Sequence, residues 1–357
     1  MVALHSSDPV TVHLSAAARV AGFVPSNLEA ALYERKTLVR MLGMRRTLFV
    51  VPLDVAAIMD EACTKALVET QRRRLIGLIE AQGIAKDGAR WLARAEAATL
   101  EAVRARGEAA AVELTKDVPQ LRKKLLFGEG TTWGGEVGLS TRVLFLLATE
   151  GRIVRTRPRG TWVSGQYRWA ELETWLGARL PAVSRREASA DLLRRWLWTF
   201  GPGTLTDIRW WTGWTAAQTK TALADVDAEG VDVGGATGYV LPGDADPAER
   251  PDPWVRLLPG LDPTTMGWKE RDWYLGALAD QLFDRNGNAG PTVWANGRVI
   301  GGWTQTADGR VLVRLLGAAD RTTRTLVERE RRDLEGWFAG TRVVPRFRTP
   351  LEKTLAG

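Results

Sequence analysis

The chain has 357 residues and a formal net charge of +7, from 49 lysine and arginine residues against 42 aspartate and glutamate residues. With 45% hydrophobic and 25% charged residues, the composition is that of an ordinary globular protein and excludes a disordered chain. The single cysteine, Cys63, excludes an intramolecular disulfide, and one cysteine with two histidines argues against a transition-metal site. We therefore expect no metal and no cofactor. The sequence shows no membrane-helix or signal-peptide pattern, so we expect a cytoplasmic protein with no membrane partner.

The basic residues are weighted towards arginine, in stretches such as LVRMLGMRR, TQRRR and GRIVRTRPRG. Because the guanidinium fork matches phosphate oxygens, this excess favours a polyanionic partner such as nucleic acid. The alternative explanation is a GC-rich genome that encodes arginine where lysine would serve. Within a helix, Arg72, Arg73 and Arg74 are expected to form a charged, solvated face.

Three segments repeat one plan of helices joined by a short turn, followed by two strands around a basic or glycine-rich tip. In the first segment, LSAAARVAGF and PSNLEAALYER predict helices and LVRMLGMRRTLFVVP predicts strands. In the second, ARWLARAEAATLEAVRARG and LSTRVLFLLATEG predict helices, and GRIVRTRPRGTWVSGQYRW predicts a hairpin with a basic tip from Arg155 to Gly160. In the third, SRREASADLLRRWLWTFGP, TLTDIRWWTG and TAAQTKTALADVDAEG precede the hairpin VDVGGATGYVLP. The plan is typical of a winged helix, a helix-turn-helix variant used mostly on DNA.

The sequence changes in character after Leu241. PGDADPAERPDPW predicts an exposed loop, and short strands follow with hairpin turns at Asn296-Gly297 and Asp308-Gly309. The closing amphipathic helix is expected to pack on this sheet. The fold class is therefore predicted as α+β, with tandem winged-helix domains around a C-terminal β-barrel-like domain. The predicted domains are 1–60, 61–183 and 184–241 for the winged helices, and 242–357 for the β-domain.

Four stretches, LHSSDPVTVHLSAAARV, YERKTLVRMLGMRRTLFVVP, LLPGLDPTTMGWKERDW and DRNGNAG, give the chain a resemblance to a known family. It resembles the AlkZ-type winged-helix DNA glycosylases, bacterial enzymes that release bulky alkylated purines and unhook crosslinked DNA. The resemblance implies double-stranded DNA with such purines as partner, and a monomeric, nucleoid-associated protein of DNA repair or toxin self-resistance. Family members carry a further helix before the first stretch, so we expect the natural start to lie upstream. Without that helix, Leu14, Val20 and Phe23 are expected to expose apolar surface.

The resemblance places the catalytic motif at His5-Ser6-Ser7, where characterised members carry glutamine, a hydrophobic residue, then glutamine or aspartate. By position, His5 replaces the first glutamine and Ser7 the second polar residue, whereas Ser6 departs from the hydrophobic pattern. A neutral histidine can orient a water or accept its proton, and Ser7 can add a hydrogen bond. Asp8 can support His5 by holding one tautomer, or it can cap the following helix. The alternative for His5 is a polar residue at a helix end.

No lysine stands near LHSSDP, so we expect a monofunctional, hydrolytic glycosylase rather than one that forms a Schiff base. Asp272 and Asp284 are further candidates, as carboxylates that stabilise the cationic sugar of the transition state. For Asp284, the alternative is that it caps the turn Asn286-Gly287-Asn288. The predicted DNA-binding side chains are Arg45, Arg46, Arg155, Arg157, Arg159, Lys269, Arg271, Arg285 and Asn286. For the arginines of the second wing, the alternative is a solvated hairpin tip.

A second class of function stays open from the sequence alone. A non-catalytic winged-helix DNA-binding protein, structural or regulatory, would use LHSSDP only as a helix cap. Such a regulator is expected to bind selected sequences as a two-fold oligomer, whereas a repair enzyme is expected to be monomeric and selective for damaged DNA.

Overall fold

The computed structural model describes residues 1–128, 134–345 and 347–356 as a mixture of helices and strands. The chain divides into two compact units, one made of Met1–Leu28 together with Ala190–Gly357 and the other of Glu29–Ser189. The four-domain division proposed from the sequence stays a prediction. Among the helices of the described residues, none is long and apolar enough to cross a bilayer.

The helices of the described residues are α1 (Pro9–Ala17), α2 (Pro25–Glu29), α3 (Leu53–Met59), α4 (Lys65–Ala81), α5 (Gly88–Arg106), α6 (Ala111–Asp117), α7 (Leu139–Thr149), α8 (Leu172–Leu176), α9 (Arg185–Phe200), α10 (Leu205–Thr212), α11 (Ala216–Asp225), α12 (Asp272–Leu275), α13 (Ala279–Leu282), α14 (Arg321–Phe338) and α15 (Pro350–Ala356). The strands are β1 (Leu4–His5), β2 (Leu38–Leu42), β3 (Leu48–Pro52), β4 (Ala109–Ala110), β5 (Lys124–Phe127), β6 (Gly135–Gly138), β7 (Ile153–Pro158), β8 (Tyr167–Glu171), β9 (Gly203–Thr204), β10 (Glu229–Asp232), β11 (Thr237–Val240), β12 (Val255–Leu258), β13 (Thr292–Ala295), β14 (Arg298–Gln305) and β15 (Val311–Leu315). Short π-helical turns follow α2 and join α3 to α4, and a 3-10 turn, Met44–Arg46, joins β2 to β3.

The unit Glu29–Ser189 is built around the helices α4 to α7. Their apolar positions recur at helical spacing, so each helix turns one face inwards. Leu92, Leu114 and Leu147, one from each of α5, α6 and α7, are fully buried in a common core cluster. The antiparallel pairs β2–β3 and β7–β8 complete this unit, with β4 on the outer side of β8.

One succession of elements occurs twice along the chain. In α5–β8 and again in α9–β11, a long helix, a two-residue strand and two helices precede a β-hairpin, and the first copy has the additional strand pair β5–β6 between its two helices. In each case the two-residue strand pairs with the second strand of the hairpin, β4 with β8 and β9 with β11. In the later copy, Thr204 and Asp207 form a capping box at the start of α10, and Gly213 ends the helix in the left-handed conformation. The order of elements agrees with the plan read from the second and third segments.

The C-terminal strands form a four-stranded antiparallel sheet in the order β12-β13-β14-β15. Asn296 and Gly297 make the turn between β13 and β14 with φ of 50° and 84°, as expected for a two-residue hairpin loop. The amphipathic helix α14 packs against β12 and β15, and this prediction is confirmed. Closure of the sheet into a barrel stays a prediction.

The apolar surface expected near the start of the chain is largely covered. Leu14 and Phe23 are buried, and only Val20 of the three is exposed, at 54%. The ring of Phe23 stacks on Trp337 of α14, whose indole N–H also donates to the Phe23 carbonyl at 2.8 Å. The sequence could not reveal this contact because the two aromatic residues are more than 300 positions apart.

Candidate active site

The segment from His5 to Asp8 forms a corner between β1 and α1. Asp8 is the N-cap of α1: its backbone is extended, and its carboxylate accepts a hydrogen bond from the Val10 amide at 3.0 Å. Pro9 occupies the first helical position, where a missing N–H leaves no hydrogen bond unmade. Of the two roles open to Asp8, the structure shows the capping one.

The side chains of the corner point in different directions. Ser6 is 1% exposed, whereas His5 and Ser7 are half-buried. Ser6, a small residue, fills the buried middle position of the corner. The Ser7 amide donates to Nδ1 of His5 over 3.4 Å, so in the neutral ring the hydrogen resides on Nε2.

Helix α1 is fastened to the stretch Pro259–Thr265 by side-chain hydrogen bonds. The Thr11 hydroxyl donates to the Gly260 carbonyl at 2.8 Å. One turn further on, the Ser15 hydroxyl donates to the Asp262 carboxylate at 2.7 Å. The segments LHSSDPVTVHLSAAARV and LLPGLDPTTMGWKERDW, both singled out in the sequence, are therefore in direct contact.

A buried ion pair strengthens this attachment. The Arg19 guanidinium binds Asp262 through both nitrogens, with Nη1 at 2.9 Å from Oδ2 and Nη2 at 2.6 Å from Oδ1. The Asp262 side chain is 0% exposed and that of Arg19 is 25% exposed. Asp262 also accepts the Thr264 amide at 2.9 Å, which shapes its own turn. Sequence reasoning missed Arg19 and Asp262, and the only local signal was the turn sequence Asp-Pro-Thr.

The space next to the corner is small. Asp8 and Leu14 line a cavity of about 40 Å³ together with Trp303 and Phe338. Pockets that enclose small-molecule ligands usually measure about 300–1,000 Å³. This cavity can hold ordered water, but it cannot enclose a nucleobase.

A second carboxyl group lies close enough to Asp8 to feel its charge. Glu352 is 1% exposed, and its Oε2 accepts hydrogen bonds from the Thr349 amide at 2.9 Å and hydroxyl at 3.1 Å. Burial raises the pKa of Glu352 above its ordinary value, and the Asp8 charge raises it further. Nothing in the local sequence singles out Glu352, since Thr-Pro-Leu-Glu is an ordinary helix start.

The predicted transition-state stabilisers have different surroundings. Asp284 accepts hydrogen bonds from the amides of Asn286 and Asn288 at 2.8 and 2.9 Å, and from the Asn288 side chain at 2.8 Å. This pattern favours its alternative role as the cap of the turn. Asp272 is exposed at the first position of α12.

The predicted DNA-binding residues of the same unit also differ in exposure. Lys269, Arg285 and Asn286 are exposed. Arg271 instead lies between two rings, 5.0 Å from the Trp210 centroid and 4.5 Å from the Phe283 centroid. Burial lowers its pKa, and its Nε donates to a backbone carbonyl. Arg271 therefore has a packing role in the unbound protein.

In the unit Glu29–Ser189, the predicted second wing begins later than expected. Arg155 and Arg157 lie within β7 rather than at the hairpin tip, because β7 extends to Pro158. The Arg155 guanidinium lies 4.4 Å from the Trp169 ring, Arg157 pairs with Glu34 at 3.2 Å, and Arg159 pairs with Glu113 at 2.6 Å. Any phosphate bound by Arg157 or Arg159 has to compete with these carboxylates, and their DNA contact stays a prediction.

The last two predicted DNA-binding residues, Arg45 and Arg46, occupy the turn between β2 and β3. Both are exposed, and both have positive φ, 51° and 63°. The Arg46 guanidinium lies 5.5 Å from the Phe145 ring.

Comparison with known proteins identifies the family of this chain. The profile of the family described as DNA glycosylase AlkZ-like matches residues 1–337. The chain belongs to the AlkZ-like DNA glycosylase family. Among solved structures, Streptomyces sahachiroi DNA glycosylase AlkZ has a similar fold, with a TM-score of 0.70 over 96% of this chain and 90% of that chain, at 18% identity. No curated protein matches the chain by sequence.

Family membership makes the chain a DNA glycosylase, a hydrolase of N-glycosyl bonds. The AlkZ-like match includes the His5–Asp8 corner and the Arg19–Asp262 pair, but it ends before Glu352. Over residues 1–128, 134–345 and 347–356, no three histidine, cysteine, aspartate or glutamate side chains are grouped to hold a metal ion.

Proposed function

We propose that this AlkZ-like protein is a monofunctional glycosylase for bulky, cationic N-alkylpurines in duplex DNA. N7-alkylguanines are the proposed lesions, with crosslinks that contain them as a further substrate. The observation that carries the proposal is the His5–Asp8 corner, a strand-to-helix junction in which an imidazole and a hydroxyl two residues apart are both half-buried.

The chemistry needs little from the protein. An N7-alkylated guanine already carries positive charge, so it leaves readily and the transition state resembles an oxocarbenium ion. The protein has to supply a positioned water and complementary electrostatics. Nε2–H of His5 and the Ser7 hydroxyl provide two hydrogen bonds for that water, and the Ser7 oxygen accepts one of its hydrogens. In this assignment His5 orients the water: the alkylated base leaves as a neutral molecule, the water oxygen bonds to the anomeric carbon of the resulting sugar cation, and the proton that this water loses goes to solvent.

Recognition of the lesion within the duplex fits the small cavity. A flipped nucleotide needs a pocket that surrounds the base, and the cavity beside Asp8 measures about 40 Å³. A base that carries a bulky adduct would need a still larger pocket. We therefore assign the enzyme a mode of action in which the alkylated base stays in the helix while the corner reaches its sugar.

We assign the winged-helix elements to binding the DNA backbone. The two copies of the helix–strand–helix–helix–hairpin succession have the order of winged helices, which supports tandem winged-helix domains. Arginine contacts to phosphates then give affinity with little sequence preference, as repair of scattered lesions requires. The enzyme is proposed to act as a monomer, associated with the nucleoid and without a cofactor.

The test is the formation of abasic sites in a duplex with one N7-methylguanine and in a second duplex with a bulky N7 adduct. Release of both bases, with no covalent complex trapped by borohydride, is the expected result. Trapping of a complex would contradict the monofunctional assignment. Salt-dependent binding of both duplexes without release would instead favour a non-catalytic DNA-binding protein.

A further inference from the structure

The C-terminal sheet ends at a strand that pairs on one side only. β15 is the last strand in the order β12-β13-β14-β15, and it pairs antiparallel with β14. The helix α14 packs against both edge strands of this sheet. At β12 the contact is closed by an ion pair of 2.6 Å between Arg256 and Glu330, whereas at β15 a groove of about 770 Å³ remains between strand and helix. The groove follows all five residues of β15, a length of about 17 Å.

The hydrogen-bond register shows which backbone groups of β15 point into this groove. The Leu316 amide, one residue beyond the strand, donates to the Ile300 carbonyl of β14 at 2.8 Å. Because alternate residues of an antiparallel pair bond to the partner strand, the even-numbered residues of β15 face β14 and the odd-numbered residues face away from it. The Val311 amide agrees with this parity, since it donates to the Glu335 carboxylate of α14 at 2.7 Å.

The other two outward residues, Val313 and Leu315, leave an open strand edge. Among the residues that the structure describes, none forms a hydrogen bond with their outward N–H and C=O groups. Such an edge offers donors and acceptors in alternation, and an extended peptide matches both by adding a strand. A phosphodiester strand offers only acceptors, so its oxygens would face the outward carbonyl groups. The edge therefore favours a peptide over a nucleic-acid backbone.

The side chains of β15 determine what such a peptide should carry. The odd-numbered residues are apolar and share the face on which Val311 is 1% exposed. Arg310, Leu312 and Arg314 share the opposite face. Arg310 pairs with Asp308 at 2.7 Å, whereas Arg314 is exposed and has no carboxylate partner among the described residues. A strand added to β15 would place apolar side chains on the first face and acidic side chains beside the arginines.

The helix wall of the groove adds to the positive charge. Four arginines and two glutamates line the groove, which gives it a net charge of +2. Arg331 pairs with both of these glutamates, with Glu328 at 2.8 Å and with Glu335 at 2.9 Å. Arg314 and Arg324 are then the exposed arginines of the groove that pair with no carboxylate of the described chain. The charge of the groove complements an acidic segment.

We propose that the groove between β15 and α14 binds an extended segment of a partner protein, in which acidic and apolar residues alternate, as a fifth strand of the C-terminal sheet. A second copy of this chain fits less well, because two β15 strands paired edge to edge would bring their arginines together. The proposal goes beyond the glycosylase activity and does not depend on it.

The experiment measures binding of a fluorescent, end-blocked peptide of alternating valine and glutamate, long enough to span β15, to the full chain by anisotropy. One reference peptide has lysine in place of glutamate, and a second is N-methylated at every residue, so that it keeps its charge but has no N–H donors. Saturable binding of the first peptide alone is expected. Its absence, or equal binding of the N-methylated peptide, would overturn the proposal.

Charge reversal locates the site on the protein. Arg314→Glu and Arg324→Glu should each bind the valine–glutamate peptide about tenfold more weakly, because a repulsion replaces an attraction. Arg329→Glu is the matched control, an exposed arginine of α14 outside the groove, and should stay within about twofold of the wild type. Melting temperatures check that each variant is folded, and Arg314→Gln replaces Arg314→Glu if the latter is not. Equal losses in all three variants would overturn the site.

Amide hydrogen exchange, followed by NMR, separates strand addition from simple charge attraction. A saturating concentration of the valine–glutamate peptide should slow exchange of the Val313 and Leu315 amides by about tenfold or more, while the Leu312 and Arg314 amides, which face β14, change little. Binding without this alternation would overturn the added strand. Displacement of the peptide by duplex DNA, or self-association of the wild type that Arg314→Glu abolishes, would overturn the peptide as occupant.

Discussion

Asp262→Ala should destabilise the protein and also displace the His5–Asp8 corner, the proposed catalytic motif. The change removes the carboxylate that accepts hydrogen bonds from Ser15, Arg19 and Thr264. It leaves the Arg19 guanidinium, only 25% exposed, without its counter-ion. Removing one partner of a buried pair costs about 3–5 kcal/mol, and the partial exposure of Arg19 places the loss near about 3 kcal/mol. That is a large part of the total stability of an ordinary domain, about 5–15 kcal/mol.

Urea unfolding measures the loss of stability, and single-turnover base release measures the effect on the corner. The rate should fall by more than the fraction of unfolded protein explains, because α1, which Asp8 caps, loses its anchor to residues 259–265. Asp191→Ala is the matched control, since Asp191 pairs with Arg194 on an exposed helix face, and exposed helix pairs contribute about 0.3–0.5 kcal/mol. A free energy of unfolding for Asp262→Ala within about 1 kcal/mol of the wild type would refute the reasoning.

Three further predictions concern single side chains. Burial raises the pKa of Asp60 from 3.8 to about 6, so the fold disfavours the charged form of this carboxyl group. As the pH rises through that range, the free energy of unfolding of the wild type, measured in urea, should fall relative to that of Asp60→Asn by up to about 3 kcal/mol. A difference that does not change with pH would contradict this. The pKa of Glu352 is also raised, so its charged form destabilises the wild type at pH values above the ordinary carboxyl pKa. The melting temperature of Glu352→Gln should therefore rise relative to that of the wild type as the pH increases. Ser7→Ala should slow base release by about tenfold, the value of one hydrogen bond to the water, at an unchanged melting temperature.

The local features of this fold could be predicted because their causes are local. An aspartate before a proline indicates a helix start, and Asp8 caps α1. Asn-Gly between alternating strands indicates a tight hairpin, and Asn296 and Gly297 form one. The strong apolar stripe of α14 required a sheet to cover it, and the adjacent strands provide that sheet.

The contacts that define the site could not be predicted because they join distant residues. Arg19 and Asp262 are separated by 243 positions, and nothing in either local sequence indicates the other. Periodicity placed Arg72, Arg73 and Arg74 on a solvated helix face, which is correct for Arg73 and Arg74 but wrong for Arg72, which is half-buried and pairs with Glu96 and Glu150 from distant parts of the chain. The assignment of the catalytic motif to the His5–Asp8 corner stays a prediction.

The central claim is that the His5–Asp8 corner positions the hydrolytic water. Its most direct test is the single-turnover rate of release of a bulky N7-alkylguanine by the wild type, His5→Ala and His5→Gln, with folding checked by melting. His5→Ala should be slower by about tenfold, the value of one hydrogen bond that orients the attacking water. His5→Gln should recover much of the rate, because its amide N–H can take the place of Nε2–H. A wild-type rate in a folded His5→Ala protein would contradict the claim and leave His5 as the polar end of a strand.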